Sequence, residues 1–135
     1  MTLDMTARPK RVMLVESEDS LAQAVDHLVA TLGHACARLS PGDRIVDRVT
    51  AEHPDLLMLD LTHADRAQVL DACQSIRRRP ALADVKILMV QKTGRALDRR
   101  LGRALGADGM VSLPFRLDEL RAEMRRLLGD ETPVH

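Results

Sequence analysis

Aromatic residues are nearly absent from this 135-residue chain, which has one Phe and neither Trp nor Tyr. Sites that bind bases or sugars usually stack them on aromatic faces, so this scarcity argues against such ligands. Long apolar runs are also missing, because none approaches the roughly 18 residues that a membrane span needs. The N-terminus, MTLDMTARPK, has no signal-peptide apolar core. We therefore expect a cytoplasmic protein that does not interact with membranes.

Cysteine is scarce, and the positive charges equal the negative charges in number. Cys36 and Cys73 are far apart in sequence and lie within apolar patterns. We interpret them as buried, reduced thiols rather than as a disulfide or a metal-binding pair. The formal net charge is zero, and no helix-turn-helix pattern is present. Since DNA-binding proteins depend on positive charge for much of their affinity, we expect no nucleic-acid partner.

Short apolar runs alternate with helical patterns along the whole chain. Apolar residues make up 45% of the sequence, which is enough to form the core of one domain of this length. Residue periodicity predicts five strands, at 11–15, 34–39, 55–60, 85–90 and 108–113. It also predicts five helices that follow them, around 20–32, 45–49, 69–76, 97–105 and 117–128.

Alternating strands and helices are typical of an α/β fold with a doubly wound parallel sheet covered on both faces. We expect the strand order 2-1-3-4-5. A single domain should span residues 10–129, with tails at 1–9 and 130–135 and no attached output domain.

In such sheets, functional groups gather at the carboxyl ends of the strands. Glu16 follows the first strand and Asp60 ends the third, and these strands are neighbours in the predicted order. Two close carboxylates repel each other unless a proton or a cation separates them. Mg²⁺, held by one or two carboxylates and water, is a common solution. The sequence therefore predicts a pocket in which Glu16 and Asp60 are the candidate metal ligands. An Asp placed there could also attack a phosphoryl donor.

Three segments of the chain resemble the receiver domain of two-component response regulators. They are VMLVESED (12–19), PDLLMLDL (54–61) and GADGMVSLPF (106–115), and the resemblance covers about residues 10–129. It implies a flavodoxin-like fold and a role in phosphorelay signal transduction. It makes Asp60 the phospho-acceptor position and Glu16 the first residue of an acidic pocket that continues with Ser17 and Glu18.

The chain also departs from this family at several functional positions. Ser17 replaces the Asp that ligates Mg²⁺ most directly, and Leu113 replaces a Lys that pairs with the phosphate. The two switch positions hold Gln91 instead of a Thr or Ser hydroxyl, and Met110 instead of an aromatic residue. Because phosphoryl transfer depends on positioning and charge neutralisation, we expect weak Mg²⁺ binding, if any, and no required cofactor. A cation like the missing Lys is worth about 2–4 kcal/mol.

Residues elsewhere in the chain include one candidate substitute for the missing Lys and a candidate surface for a protein partner. Lys92 is the residue we consider as a substitute for the missing Lys, although an exposed Lys is the ordinary case. A stripe of arginines runs along the fourth helix and reaches the fifth, at Arg95, Arg99, Arg103 and Arg116. We expect this face to contact an acidic protein surface, on a histidine kinase, a downstream regulator or a second copy of the chain. It could equally be an ordinary solvated face.

We interpret all five histidines as structural or solvent-facing, because their spacings form no zinc-type ligand set. Three hypotheses about function remain. The first is an atypical receiver, not an enzyme, that works by protein–protein contact with impaired or absent phosphorylation. The second is a working phospho-receiver in which Asp60 accepts a phosphoryl group from a histidine kinase. The third, a small doubly wound nucleotide-binding enzyme, is disfavoured because no Gly-rich phosphate loop follows the first strand.

Overall fold

The computed structural model describes residues 9–63, 66–92, 100 and 102–130. Its strands are β1 (Arg11–Val15), β2 (Ala35–Leu39), β3 (Leu56–Asp60), β4 (Lys86–Lys92) and β5 (Gly109–Leu113). Its long helices are α1 (Asp19–Thr31), α2 (Ile45–Glu52), α3 (Arg66–Arg77) and, at the end of the chain, α5 (Leu117–Leu128). A short 3₁₀ helix spans Pro80–Leu82. Residues 100 and 102–104 are also helical, and we label this segment α4.

The five strands form one parallel sheet in the order β2-β1-β3-β4-β5. The predicted fold class and strand order are therefore confirmed. All five residues of β3 are buried, as expected for a central strand that is covered on both faces. The fourth strand extends two residues beyond the predicted end, because Gln91 and Lys92 pair with Ser112 and Leu113 of β5.

The core has two halves, one on each face of the sheet. On one face, α1 and α5 cover the strands through residues such as Val25, Leu28 and Met124. On the other face, α2 and α3 do so through residues that include Val49 and Ile76. Successive strand residues alternate between the two halves because side chains on a strand point to opposite faces. The packing on both faces fixes the positions of the strands, whose carboxyl ends lie at one edge of the sheet.

Both cysteines are free thiols, as predicted from their apolar surroundings. Cys73 is fully buried, as predicted. The prediction that Cys36 is buried is wrong, because this residue lies on the edge strand β2 and is half-buried. Burial raises the pKa of each thiol to about 11. Among the residues that the structure describes, no helix combines the length and the apolar character needed to cross a membrane.

Candidate functional site

Glu16 and Asp60 come together at the carboxyl edge of the sheet, as the sequence predicts. β1 and β3 are hydrogen-bonded neighbours, with Val15 opposite Leu59. Glu16 continues the β1 ladder by donating its N–H to the Leu39 carbonyl at 3.0 Å. Both carboxylates are buried, with exposed fractions of 0% for Glu16 and 4% for Asp60. The sheet thus brings two acidic groups together out of contact with water.

Each carboxylate has one oxygen that accepts a backbone hydrogen bond from the following loop. The Glu18 N–H donates to Glu16 Oε2 at 3.0 Å, and the Thr62 N–H donates to Asp60 Oδ1 at 2.8 Å. The other oxygens, Glu16 Oε1 and Asp60 Oδ2, are buried without a hydrogen-bond donor among the described residues. Buried polar atoms are normally satisfied, so a proton shared between the carboxyl groups or a bound cation would supply the interaction that these two oxygens lack.

His63 lies against the two carboxylates, a position that the sequence interpretation did not predict. Its Nε2 lies 3.0 Å from Asp60 Oδ2 and 3.2 Å from Glu16 Oε2, at ion-pair distance from both carboxylates. The sequence interpretation of the histidines as structural or solvent-facing did not predict this contact, and the His63 side chain is one-third exposed. Asp60 caps the turn by accepting the Thr62 N–H, and this turn brings His63 back over the pocket. Loop conformation of this kind has no periodic signal in sequence.

The pocket raises the pKa of Glu16 to about 7. The main cause is burial, which removes water from the carboxylate, and the adjacent Asp60 carboxyl group adds to it. The Glu18 N–H and the His63 side chain act in the opposite direction. The repulsion expected between the two strand-end carboxylates is therefore present, and it is only partly offset.

Glu16, Asp60 and His63 form the one candidate metal-ligand cluster among the described residues, with ligand atoms within 4.8 Å of one another. The Glu16 and Asp60 oxygens fit Mg²⁺, which those two residues would hold together with water. The third donor is a nitrogen, which Mg²⁺ does not prefer. Ser17 and Glu18 are exposed, and the contact from Glu18 to the buried pair is made by its backbone N–H.

The other predicted site residues lie on β4 and β5. Gln91 is buried, and its Nε2 donates to Ser112 Oγ at 3.1 Å, whereas its Oε1 has no described partner. Leu113 is half-buried and packs on the core half formed by α1 and α5. Met110 is half-buried and packs on the opposite half. Lys92 is exposed at the end of β4, in register with Leu113.

The predicted partner face is described only in part. Arg103 and Arg116 are exposed, whereas Arg95 and Arg99 lie outside the described residues. A cleft of about 320 Å³ opens beside Arg103, lined also by Asp108, Met110, Glu123 and Arg126. Arg126 donates to Glu123 at 2.8 Å and holds the pKa of that carboxyl group below its usual range. This part of the face therefore carries both signs of charge.

Solved structures with the same fold include a putative response regulator from Chloroflexus aurantiacus. It has a TM-score of 0.82 and 21% sequence identity, with 90% of this chain and 99% of that chain covered. The chemotaxis response regulator CheY4 of Vibrio cholerae has a TM-score of 0.79 and 20% identity, with 90% of this chain and 100% of that chain covered. At these identities, the likeness supports the fold alone.

Curated relatives include the transcriptional regulatory protein BaeR of Escherichia coli, which is 31% identical over 118 residues, covering 87% of this chain and 48% of BaeR. The probable transcriptional regulator ycf27 of Cyanophora paradoxa is 29% identical over 124 residues, covering 92% of this chain and 50% of that regulator. The chain thus spans about half the length of these relatives. Residues 12–125 match the family described as the response regulator receiver domain, and the chain belongs to that family.

Proposed function

We propose that this chain is an atypical cytoplasmic receiver that signals mainly by protein–protein contact, with impaired or absent phosphorylation. The observation that carries the proposal is the set of groups around Asp60. The Gln91 amide is bonded to Ser112, and Leu113 packs in an apolar cluster. Phosphoryl transfer needs positive charge and hydrogen-bond donors that are already placed around the transferred group.

His63 adds a second obstacle to phosphorylation. Its Nε2 stands 3.0 Å from Asp60 Oδ2, and this is the oxygen that lacks a backbone hydrogen bond. The imidazole therefore occupies the side from which Asp60 would attack a phosphoryl donor. Lys92, the residue considered as a substitute cation, is exposed.

A working phospho-receiver is the second candidate, favoured by one specific observation. Asp60 Oδ2 accepts no hydrogen bond from the described residues, and its one close polar neighbour among them is His63, so displacement of His63 would leave a lone pair for attack on phosphorus. In that step the Asp60 O–P bond would form while the P–N bond of a phosphohistidine breaks, and the donor imidazole would leave with the electron pair. Family membership favours both receiver candidates over the nucleotide-binding enzyme.

The proposed contact surface is the face formed by α4 and α5. Arg103 and Arg116 are exposed there, and the adjacent cleft carries Asp108 and Glu123 as well as arginine. A protein surface of mixed charge, acidic where it meets the arginines, fits this arrangement. Such a surface would belong to a histidine kinase, a downstream regulator or a second copy of the chain.

Intact-mass measurement after incubation with acetyl phosphate and Mg²⁺ tests the proposal. We expect no stoichiometric gain of one phosphoryl group on Asp60, and no beryllofluoride-induced amide shifts that spread from the pocket to α4. Stoichiometric modification of the wild-type chain together with such shifts would overturn the proposal and establish the second candidate. Asp60→Asn is the control that identifies the modified residue.

Returning the residue types that are usual in the family tests whether their replacement is the cause of impaired phosphorylation. The triple variant Ser17→Asp, Gln91→Thr, Leu113→Lys returns the missing carboxylate, hydroxyl and cation. We expect it to gain acetyl-phosphate labelling by roughly 10²-fold or more over wild type, the scale of a single lost electrostatic group. A correctly folded triple variant that labels no faster would show that the replaced residues are not the reason for poor phosphorylation.

A further inference from the structure

We infer that Lys10, His34 and Asp130 form a proton-sensitive contact. The neutral His34 ring joins the residue before β1 to the residue after the end of α5, and protonation of the ring releases the β1 side. We call these three residues the His34 cluster. It lies at the amino ends of β1 and β2, at the opposite edge of the sheet from Glu16 and Asp60. The inference therefore does not depend on whether Asp60 is phosphorylated.

Three separate parts of the chain meet at the His34 ring. Its Nδ1 accepts the Lys10 backbone N–H at 2.8 Å, and its Nε2 contacts Asp130 Oδ2. The His34 backbone N–H donates to the Val29 carbonyl in the last turn of α1 at 3.1 Å. The side chain is only 7% exposed, so both ring nitrogens depend on these partners rather than on water.

The Lys10 side chain adds to the same connection. Its ammonium group donates to the Leu128 carbonyl in the last turn of α5 and lies 4.0 Å from Asp130 Oδ1. Asp130 is also bonded to α5, because its N–H donates to the Arg125 carbonyl at 2.8 Å. Arg125 Nη2 donates in turn to the Asp130 carbonyl at 3.3 Å. The position of Asp130 is thus fixed by α5 as well as by His34.

The hydrogen-bond pattern defines the protonation state of the ring. A neutral imidazole has one N–H group, and its other nitrogen is an acceptor. Because Nδ1 accepts the Lys10 N–H, the ring proton must lie on Nε2, from which it is donated to Asp130. A second proton would be added at Nδ1, and two N–H groups would then point at each other. Protonation therefore breaks the bond to Lys10, whereas the bond to Asp130 can persist.

The groups around the ring make histidine the component that responds to pH. The charged neighbours are the Asp130 carboxylate, the Lys10 ammonium group and the Arg125 guanidinium group. From α1, the neighbouring group is the Val29 carbonyl. Asp, Lys and Arg side chains ordinarily keep their charge between about pH 5 and 8, whereas the charge of histidine changes in that range. Mild acid should therefore detach the start of β1 from the His34 ring.

Nuclear magnetic resonance of the full ¹⁵N-labelled chain between about pH 5 and 8 tests the inference. At the upper end we expect the ring nitrogens of His34 to report the Nε2–H tautomer. On acidification, the ring should gain a proton and the Lys10 amide resonance should shift with the same midpoint. The protection of that amide against hydrogen exchange, corrected for the pH dependence of an unfolded peptide, should fall by about fivefold or more. This is the scale of one net hydrogen bond.

Two histidine variants identify the group that titrates. His34→Gln keeps a polar side chain that does not titrate, and we expect the pH-dependent shift of the Lys10 amide to be absent from it. His27→Gln is the matched control, because His27 is exposed on α1, and it should keep the wild-type shift. Circular dichroism verifies that both variants fold, and the wild-type titration tests the inference without either of them.

Four results would overturn the inference. They are a neutral ring in the Nδ1–H tautomer, a ring whose protonation state is constant over this pH range, a Lys10 amide that is unaffected when the ring gains its proton, and a Lys10 shift that survives in His34→Gln. None of these results affects the phosphoryl-labelling experiment on Asp60. Failure of the proton-sensitive contact and failure of the proposed function are therefore separable.

Discussion

The pocket buries two acidic side chains, and burial makes their ionised forms energetically unfavourable. Glu16 and Asp60 are buried side by side, and each obtains one backbone hydrogen bond from the loop that follows it. His63 supplies the remaining polar contact. Buried charges destabilise a fold unless they are paired and hydrogen-bonded, and here the pairing is incomplete. Such a local cost is typical of functional sites.

Neutralising one carboxylate should therefore stabilise the protein. At pH 8 and with chelator present, we expect Glu16→Gln to raise the free energy of unfolding by about 1–2 kcal/mol, because it removes repulsion from Asp60 and a charge that lacks hydration. Urea denaturation measures the change. Glu18→Gln, a similar substitution at an exposed position, should have little effect. A loss of stability in Glu16→Gln would indicate that the charge of Glu16 is needed for folding.

The two thiols should be unreactive in the native state. Burial raises the pKa of Cys36 and Cys73 to about 11, so both are protonated at pH 8. We expect slow labelling by a disulfide reagent without denaturant, with the half-buried Cys36 ahead of the fully buried Cys73, and rapid labelling in urea. Unfolded thiols ionise at lower pH than these, so stability should fall as the pH rises from about 9 to 11. Immediate native-state labelling of Cys73 would contradict this.

At the scale of elements, the end of α3 is tied to the loop before β5. Arg77 donates to the Gly106 carbonyl at 2.8 Å and to Asp108 Oδ2 at 2.7 Å. The same Asp108 oxygen accepts the Ile87 N–H at the start of β4 at 2.8 Å. Gly106 has φ +99°, and a Cβ there would stand 2.4 Å from Arg77 Cγ. Only glycine suits both the backbone and the close approach.

Removing this arginine should loosen the connection between the elements. We expect Arg77→Met to lower the free energy of unfolding by about 1–3 kcal/mol, because Asp108 and the Gly106 carbonyl lose a charged donor. Arg44→Met is the control, since Arg44 makes a surface pair with Asp47 and is 88% exposed, and it should have little effect. Urea denaturation of both variants makes the comparison. Equal effects would mean that the Arg77 contacts contribute nothing specific.

At the scale of the whole molecule, the sheet order creates the pocket. Glu16 and Asp60 are separated by α1, β2 and α2 in sequence, and the parallel pairing of β1 with β3 makes them neighbours. This follows from right-handed crossovers in a doubly wound sheet. The face formed by α4 and α5 is also a product of the fold, because Arg126 of α5 contacts the Asp108 carbonyl beside β5.

Much of this architecture could be predicted from residue patterns. The apolar run of 55–60 and the helical spacing of Val25, Leu28 and Val29 each match what the structure has. These patterns are informative because burial on two faces, or on one helical face, constrains every residue in an element. The positions of Glu16 and Asp60 followed from the strand order. The role of His63 did not, because it depends on a non-periodic turn.

Residue patterns alone predict the five strands, four of the five helices and the meeting of Glu16 with Asp60, because hydrophobic periodicity and strand ends are local features of the chain. The predicted fourth helix lies partly outside the described residues. The packing of the elements is what places His63 over both carboxylates, bonds the Gln91 amide to Ser112, and brings Arg126 of α5 to the Asp108 carbonyl. Periodicity reports what one element buries, whereas contacts between loops and side chains depend on how separate elements pack against each other.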